Sequence, residues 1–236
     1  MRIGIVSDIH GNLAALDAVI ADLERIRPDL ILHGGDLAAL GPRPAEAVDR
    51  VRELEWPGVA GNWDLAYLPG GMDRVKTMPP AVGSLLEPLA AWAEARLGSE
   101  RVAWLSGLPR EHRESELALL HASPTDIWVA PQADADNRTL SDTYGALGAE
   151  QVVYAHIHHP FVRRLPGLTM ANSGSVGLPY DGDPRASYLL IEDGSPAVRR
   201  VEYDIEREIA DLSATGFPAA VQVERAQRTA TFIQPG

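Results

Sequence analysis

The chain has 236 residues, 45% hydrophobic and 23% charged, the balance of a folded protein with one large domain or two small ones. It contains no cysteine, which excludes disulfide frameworks, thiolate metal sites and a cysteine nucleophile. Acidic residues outnumber basic ones 33 to 21, and a net charge of −12 argues against gripping long DNA or RNA by charge.

Ile3 to Ser7 reads as a buried strand. Asp8 and His10 follow it too early for a signal peptide, and no apolar run approaches the roughly 20 residues of a membrane span. The expectation is a cytoplasmic protein without membrane attachment. Leu13, Leu16, Val19, Ile20 and Leu23 recur at helical spacing behind a capping Asn12, and Pro28 closes the helix. Leu30 to His33 is strand-like. Pro44 opens a second helix through Val48, Val51 and Leu54, and Val59 and Ala60 read as a remnant third strand. This alternation predicts parallel α/β layering.

The segment from Tyr67 to Arg113 is less regular and is a candidate lid. A helix containing Pro88 and Trp92 follows Pro79 and Pro80, and another lies near Val102 to Leu105. The charged stretch from Arg110 to Glu116, with His112, reads as solvated surface. Leu117 to Leu120 and Val152 to Ala155 are strands, with a helix between them over Asn137 to Leu147. Four short strands follow, Phe161 to Arg164, Leu168 to Ala171, Ser187 to Ile191 and Val198 to Tyr203, separated by turn residues. A helix runs from Asp204 to about Ala214. From Phe217 onward the pattern is weak, which predicts a loosely docked tail. With no repeat or linker, residues 1–236 read as a single domain.

The polar chemistry collects at strand ends. Asp8 and His10 follow the first strand, Asp36 the second, Asn62 the third. His121 ends the strand of Leu117 to Leu120, and His156 and His158 end that of Val152 to Ala155. Ligands of open α/β sheets bind at that edge. Each residue has a plainer reading, Asp8 as a helix cap or Asp36 as a turn residue. The repeated i, i+2 pairs and the placement of four of the seven histidines on one rim favour a metal site. Carboxylate, amide and imidazole donors suit Mn, Fe, Co, Ni or Zn. Seven donors suit two ions sharing a carboxylate. His33, inside an apolar strand, reads as a satisfied core histidine.

At these residues the sequence resembles the calcineurin-like metallophosphoesterase superfamily, in particular its small prokaryotic phosphodiesterase branch. The family's blocks D-x-H, G-D, G-N-[HC]-[DE], a lone H and G-H-x-H stand here as Asp8-Ile9-His10, Gly35-Asp36, Gly61-Asn62-Trp63-Asp64, His121 and Ala155-His156-Ile157-His158, with Ala155 in place of the last block's glycine. Asn172 to Gly177 and Gly182 to Arg185 are also similar to later segments, so the resemblance spans about residues 1–203. It implies a four-layer α/β/β/α sandwich of two mixed sheets flanked by helices. It also implies one divalent transition-metal ion on Asp8, His10 and His158, a second on Asn62, His121 and His156, and Asp36 bridging both.

The family's histidine after the asparagine is Trp63 here. Indole cannot transfer a proton, so Trp63 cannot act as a general acid, although it can stack on an aromatic group. Asp64 thereby loses the imidazole it would orient. The reading is a phosphodiesterase acting on small or nucleotide-like diesters, in which a hydroxide held between two ions attacks phosphorus. Asp36, Asn62 and His121 carry that chemistry. Asn12, Trp63, His159, Ser173, Gly174 and Arg185 are the candidate substrate-binding residues, with His159 the nearest alternative acid. A phosphomonoesterase, protein phosphatase or dinucleoside polyphosphate hydrolase is the first alternative, and a catalytically silent binding or scaffold protein is another. The partner expected is a small phosphoester, and the sequence leaves a homo-oligomer open.

Overall fold

The computed structural model of the chain describes residues 1–235. Its strands are β1 (Arg2–Val6), β2 (Leu30–His33), β3 (Glu111–Glu114), β4 (Leu117–Leu120), β5 (Gln151–Tyr154), β6 (Phe161–Leu165), β7 (Leu168–Asn172), β8 (Ala186–Glu192) and β9 (Ser195–Val201). They form two mixed sheets, ordered β2-β1-β8-β9 and β3-β4-β5-β7-β6. In the first, β1 runs parallel to β2 and antiparallel to β8; in the second, β4, β5 and β7 are parallel.

Strand periodicity explains why the sheets stack. Ile3 and Ile5 of β1, Leu117 and Leu119 of β4, and Leu189 and Ile191 of β8 point into one layer between the sheets. The alternate residues point outward. Val6, Tyr188 and Leu190 meet α1 (Leu13–Ile26) and α2 (Pro44–Glu53), whereas Ala118, Leu120, Val152 and Tyr154 meet α5 (Asn137–Tyr144). Strands apolar on both faces belong inside such a sandwich. The architecture is the four-layer α/β/β/α arrangement that the family resemblance implied.

Both early helices begin where their sequence signals stand. Asn12 Oδ1 accepts from Ala15 N at 2.9 Å, and Pro44 occupies the first turn of α2. The middle segment contributes α3 (Asp73–Lys76) and α4 (Pro80–Ser106), which breaks at Gly98, where φ is 70° and ψ is 164°.

Three expectations change. The third strand reduces to a single bridge between His33 and Gly58, because the chain turns into the Gly61 loop after Val59. The charged stretch from Arg110 to Glu116 is not plain surface: Glu111–Glu114 is an edge strand antiparallel to β4, and its charges protect that edge from further pairing. The tail from Phe217 is firmly docked. It follows α6 (Ile205–Thr215) and forms α7 (Ala220–Thr229), with Phe217, Val223, Ala226, Ala230 and Ile233 all buried. Within the helix only Val223, Ala226 and Gln227 are buried, too few apolar positions to show as a periodic pattern.

His33 is buried as expected but is not satisfied. Neither ring nitrogen has a partner among the described residues, and burial lowers its pKa to about 3, which keeps the ring neutral.

Candidate metal centre

Five loops leave the strands at one edge and carry the predicted donors to a common point. Asp8, His10, Asp36, His156 and His158 all adopt positive φ, between 49° and 68°. Non-glycine residues in that region carry backbone strain, and here the strained positions coincide with the polar cluster. The glycines beside them have a geometric cause. A Cβ on Gly61 would lie 2.0 Å from Asp36 Oδ1, and one on Gly35 would lie 2.2 Å from the Gly61 nitrogen. The Asp36 and Asn62 loops therefore pack backbone to backbone.

Asp64 fastens those two loops together. Its Oδ2 accepts from the N–H groups of Asp36 at 2.7 Å and Gly61 at 2.8 Å, and its Oδ1 from Leu37 at 3.0 Å. The sequence reading assigned Asp64 only a lost imidazole partner. Its structural task is to set the position of Asp36.

Backbone partners aim the donors. A carbonyl can only accept, so the Nδ1 atoms of His10, His121 and His158 must donate to Ala39, Gly34 and Leu178, which turns each unprotonated Nε2 toward the centre. Asp36 spends Oδ1 on the Trp63 N–H at 2.8 Å, and Asp8 spends Oδ2 on the His156 N–H at 3.3 Å. The opposite oxygen of each carboxylate remains for the centre.

Two donor groups result. His10 Nε2, His158 Nε2 and Asp8 Oδ1 are separated by 3.2, 3.2 and 3.8 Å. Asn62 Oδ1, His121 Nε2 and His156 Nδ1 are separated by 2.9, 2.8 and 3.3 Å. Asp36 Oδ2 stands between the groups, 3.8 Å from His10 Nε2 and 3.5 Å from His121 Nε2. Asp8, Asp36 and His121 also lie close enough together to hold an ion.

Metal–nitrogen bonds of about 2.1 Å imply ligand-to-ligand edges of about 3.0–3.4 Å, and the separations of 3.2, 3.2 and 3.3 Å fall in that range. The chemistry makes the same point. In the first group two lone-pair nitrogens face each other, and the buried Asp8 Oδ1 has no hydrogen-bond partner. Acceptors pointed at one another repel unless a cation lies among them. The donor chemistry fits a divalent metal.

The electrostatics follow from burial. Burial pushes the Asp36 carboxyl up, and the Asp64 and Asp8 charges push it further. Burial also raises Asp8, but His158, His121 and His10 outweigh it and leave Asp8 below the usual carboxylate range. Burial takes His10 and His156 down to about 3 and lowers His121, so these rings are neutral and able to ligate.

Five of the donors, His10, Asp36, Asn62, His156 and His158, form the floor of a cavity of about 400 Å³, the size that a small organic ligand requires. Trp63 lines it, packed edge-to-face on Trp128 with ring centroids 5.5 Å apart. His159 lines it too, its Nδ1 donating to the Ile157 carbonyl at 2.9 Å.

The other predicted substrate residues do not line this cavity. Asn12 is buried as the α1 cap, and its amide donates to the Gly177 carbonyl at 3.0 Å. Ser173 and Gly174 are buried in a loop whose later N–H groups, Val176 and Gly177, donate to the carbonyls of Ser7 and Asp8. That loop supports Asp8 from behind and has no N–H from Val176 or Gly177 left to offer a phosphate. Arg185 is exposed, with its Nη2 on Asp183 Oδ2 at 2.6 Å.

Sequence reasoning missed Trp128, Tyr180 and Phe232, all of which line the cavity. Tyr180 stacks on His158 with centroids 4.3 Å apart and planes 16° apart. Aromatic residues between the recognised blocks were the available signal.

Fold and donor set define the class, an α/β/β/α sandwich with a candidate metal centre at its strand ends. The chain belongs to the calcineurin-like phosphoesterase superfamily, whose domain model matches residues 1–194. It is 29% identical to an uncharacterized protein of Methanocaldococcus jannaschii, over 92% of this chain and 93% of that one. Among solved structures, a metallophosphoesterase from Sphaerobacter thermophilus is 29% identical, with a TM-score of 0.80 over 98% of this chain and 99% of that one. A hypothetical protein from Pyrococcus horikoshii shares the fold at 17% identity, with a TM-score of 0.82 over 100% of this chain and 98% of that one. No helix among the described residues is long and apolar enough to cross a membrane.

Proposed function

We propose that the protein hydrolyses small phosphodiesters with the help of two divalent transition-metal ions drawn from Mn, Fe, Co, Ni and Zn. Asp8, His10 and His158 hold one ion, Asn62, His121 and His156 hold the other, and Asp36 belongs to both. The observation that carries this reading is the pair of buried donor groups joined by Asp36 Oδ2 at the floor of a cavity. Divalent ions held by these residues would supply Lewis acidity toward a phosphate ester.

The chain's own residues do the rest. Asp64 holds the Asp36 loop, and the Ala39, Gly34 and Leu178 carbonyls fix three imidazoles, so the donors need no rearrangement on binding. Trp63 can orient a substrate but cannot protonate its leaving group. His159 stands in the cavity wall with Nδ1 occupied, which leaves Nε2 to hold or deliver a proton there. The intact set of candidate donors in the sequence supports an enzyme over a silent scaffold.

The test is hydrolysis of bis(p-nitrophenyl) phosphate and p-nitrophenyl phosphate by protein loaded separately with each metal. The expected outcome is turnover of both, with the higher kcat/KM on the diester. A preference for the monoester would assign a phosphatase, and no turnover with any ion would return the protein to the binding class.

A further inference from the structure

Above its polar floor the cavity changes character. Leu40, Met78, Leu86 and Ile157 line it with the aromatic residues, Gln132 and Thr231 add uncharged polar groups, and no lysine or arginine among the described residues lines it. A pocket for a polyphosphate or another polyanion needs cationic side chains to replace lost hydration. Here the two arginines that pair with the acidic residues of the 181–185 turn are already committed, Arg185 to Asp183 and Arg200 to Asp181. The chain as a whole carries −12.

The tail supplies the second observation. Ala230 and Ile233 are buried and anchor it, yet Phe232 between them is 48% exposed and lines the cavity. Phe232 stands 5.3 Å from Tyr180, centroid to centroid, at 64°. A docked segment that buries its neighbours and leaves a phenyl ring uncovered at a cavity mouth presents that ring to something apolar.

We infer, resting on the phosphodiesterase reading above, that the substrate is a singly charged phosphodiester whose non-leaving group is apolar and uncharged. That group sits against Trp128, Tyr180 and Phe232 while the phosphate lies on the floor. Polyphosphates and diesters with additional negative charge are excluded. An aryl or nucleobase-like ring and an aliphatic chain share the recognised chemistry, and the test separates them.

The test varies only the group that does not leave. Methyl, phenyl, hexyl and 4-carboxyphenyl p-nitrophenyl phosphates share one leaving group. Burying a ring against the wall predicts a KM about 10- to 100-fold lower for phenyl than for methyl. The carboxylate of the 4-carboxyphenyl ester should cancel most of that gain. A hexyl ester equal to phenyl identifies an aliphatic chain as the source, and a phenyl ester ahead of hexyl identifies a ring; either supports the inference. Phe232→Ala and Trp128→Ala should each narrow the phenyl-to-methyl ratio. Quenching of tryptophan fluorescence by phenylphosphonate, compared with methylphosphonate, reads the same preference without turnover. Equal KM values for methyl and phenyl, or a carboxyphenyl ester as good as phenyl, would overturn the inference and leave the phosphodiesterase reading intact. Absence of turnover on every ester overturns that reading instead, and equal quenching by the two phosphonates then removes the apolar wall as well.

Discussion

The floor and the walls of this cavity are built on opposite principles. The floor is polar, buried and strained, with five non-glycine residues at positive φ and its acceptors crowded within 4 Å. Apart from Gln132, His159 and Thr231, the walls are apolar and assembled from segments far apart in sequence, Met78 and Leu86, Trp128, Tyr180, and Phe232 with Ile233. The floor fixes a reaction type because few side chains can ligate a metal. The walls fix which molecule is presented to that floor, and many apolar combinations would serve.

The comparison breaks most visibly in the tail. Phe217 is buried against Trp92, with centroids 4.9 Å apart, and it anchors the segment that carries Phe232. Phe217→Ala should cost about 3 kcal/mol in denaturant unfolding and raise KM for bulky diesters. Metal stoichiometry should stay unchanged, and a loss of metal in this variant would show that walls and floor are not separable.

A change beneath the floor should act in the opposite sense. Asp64→Asn places an amide donor against N–H groups that need an acceptor. It should lower metal affinity and kcat/KM by about 10- to 100-fold, with little effect on the ratio between methyl and phenyl esters. Metal titration with parallel kinetics checks both halves.

A smaller effect separates both regions from the helices behind them. Glu208 of α6 is buried, and its Oε2 has no partner among the described residues. Burial pushes its pKa up to about 8 from an ordinary 4.5. The folded state therefore favours the protonated form, so this contribution to stability is complete below pH 4.5 and is lost as pH rises through 8. Glu208→Gln should flatten that slope and gain about 2 kcal/mol at pH 8, read from unfolding curves across pH.

The sequence carried the floor because its donors stand in five short blocks at strand ends, and strand ends are legible from short apolar runs such as Ile3 to Ser7 or Val152 to Ala155. The sandwich itself came from the family resemblance. The α7 face escaped notice because it is narrow, with only Val223, Ala226 and Gln227 buried within the helix. Asp64 was visible as a residue but not as a clamp, since its three N–H partners come from loops that only the fold brings together. Ser173, Gly174 and Arg185 looked suited to phosphate by type. Their loops turn toward Asp8 and Asp183 instead, and nothing in residue identity encodes that direction.

The central claim is that Asp36 joins two ion sites into one centre. Elemental analysis of wild type and Asp36→Asn, each loaded with Mn and dialysed, tests it directly. The account predicts two ions per wild-type chain and less than one in the variant. A variant that retains both ions, or a wild type that holds only one, would contradict it.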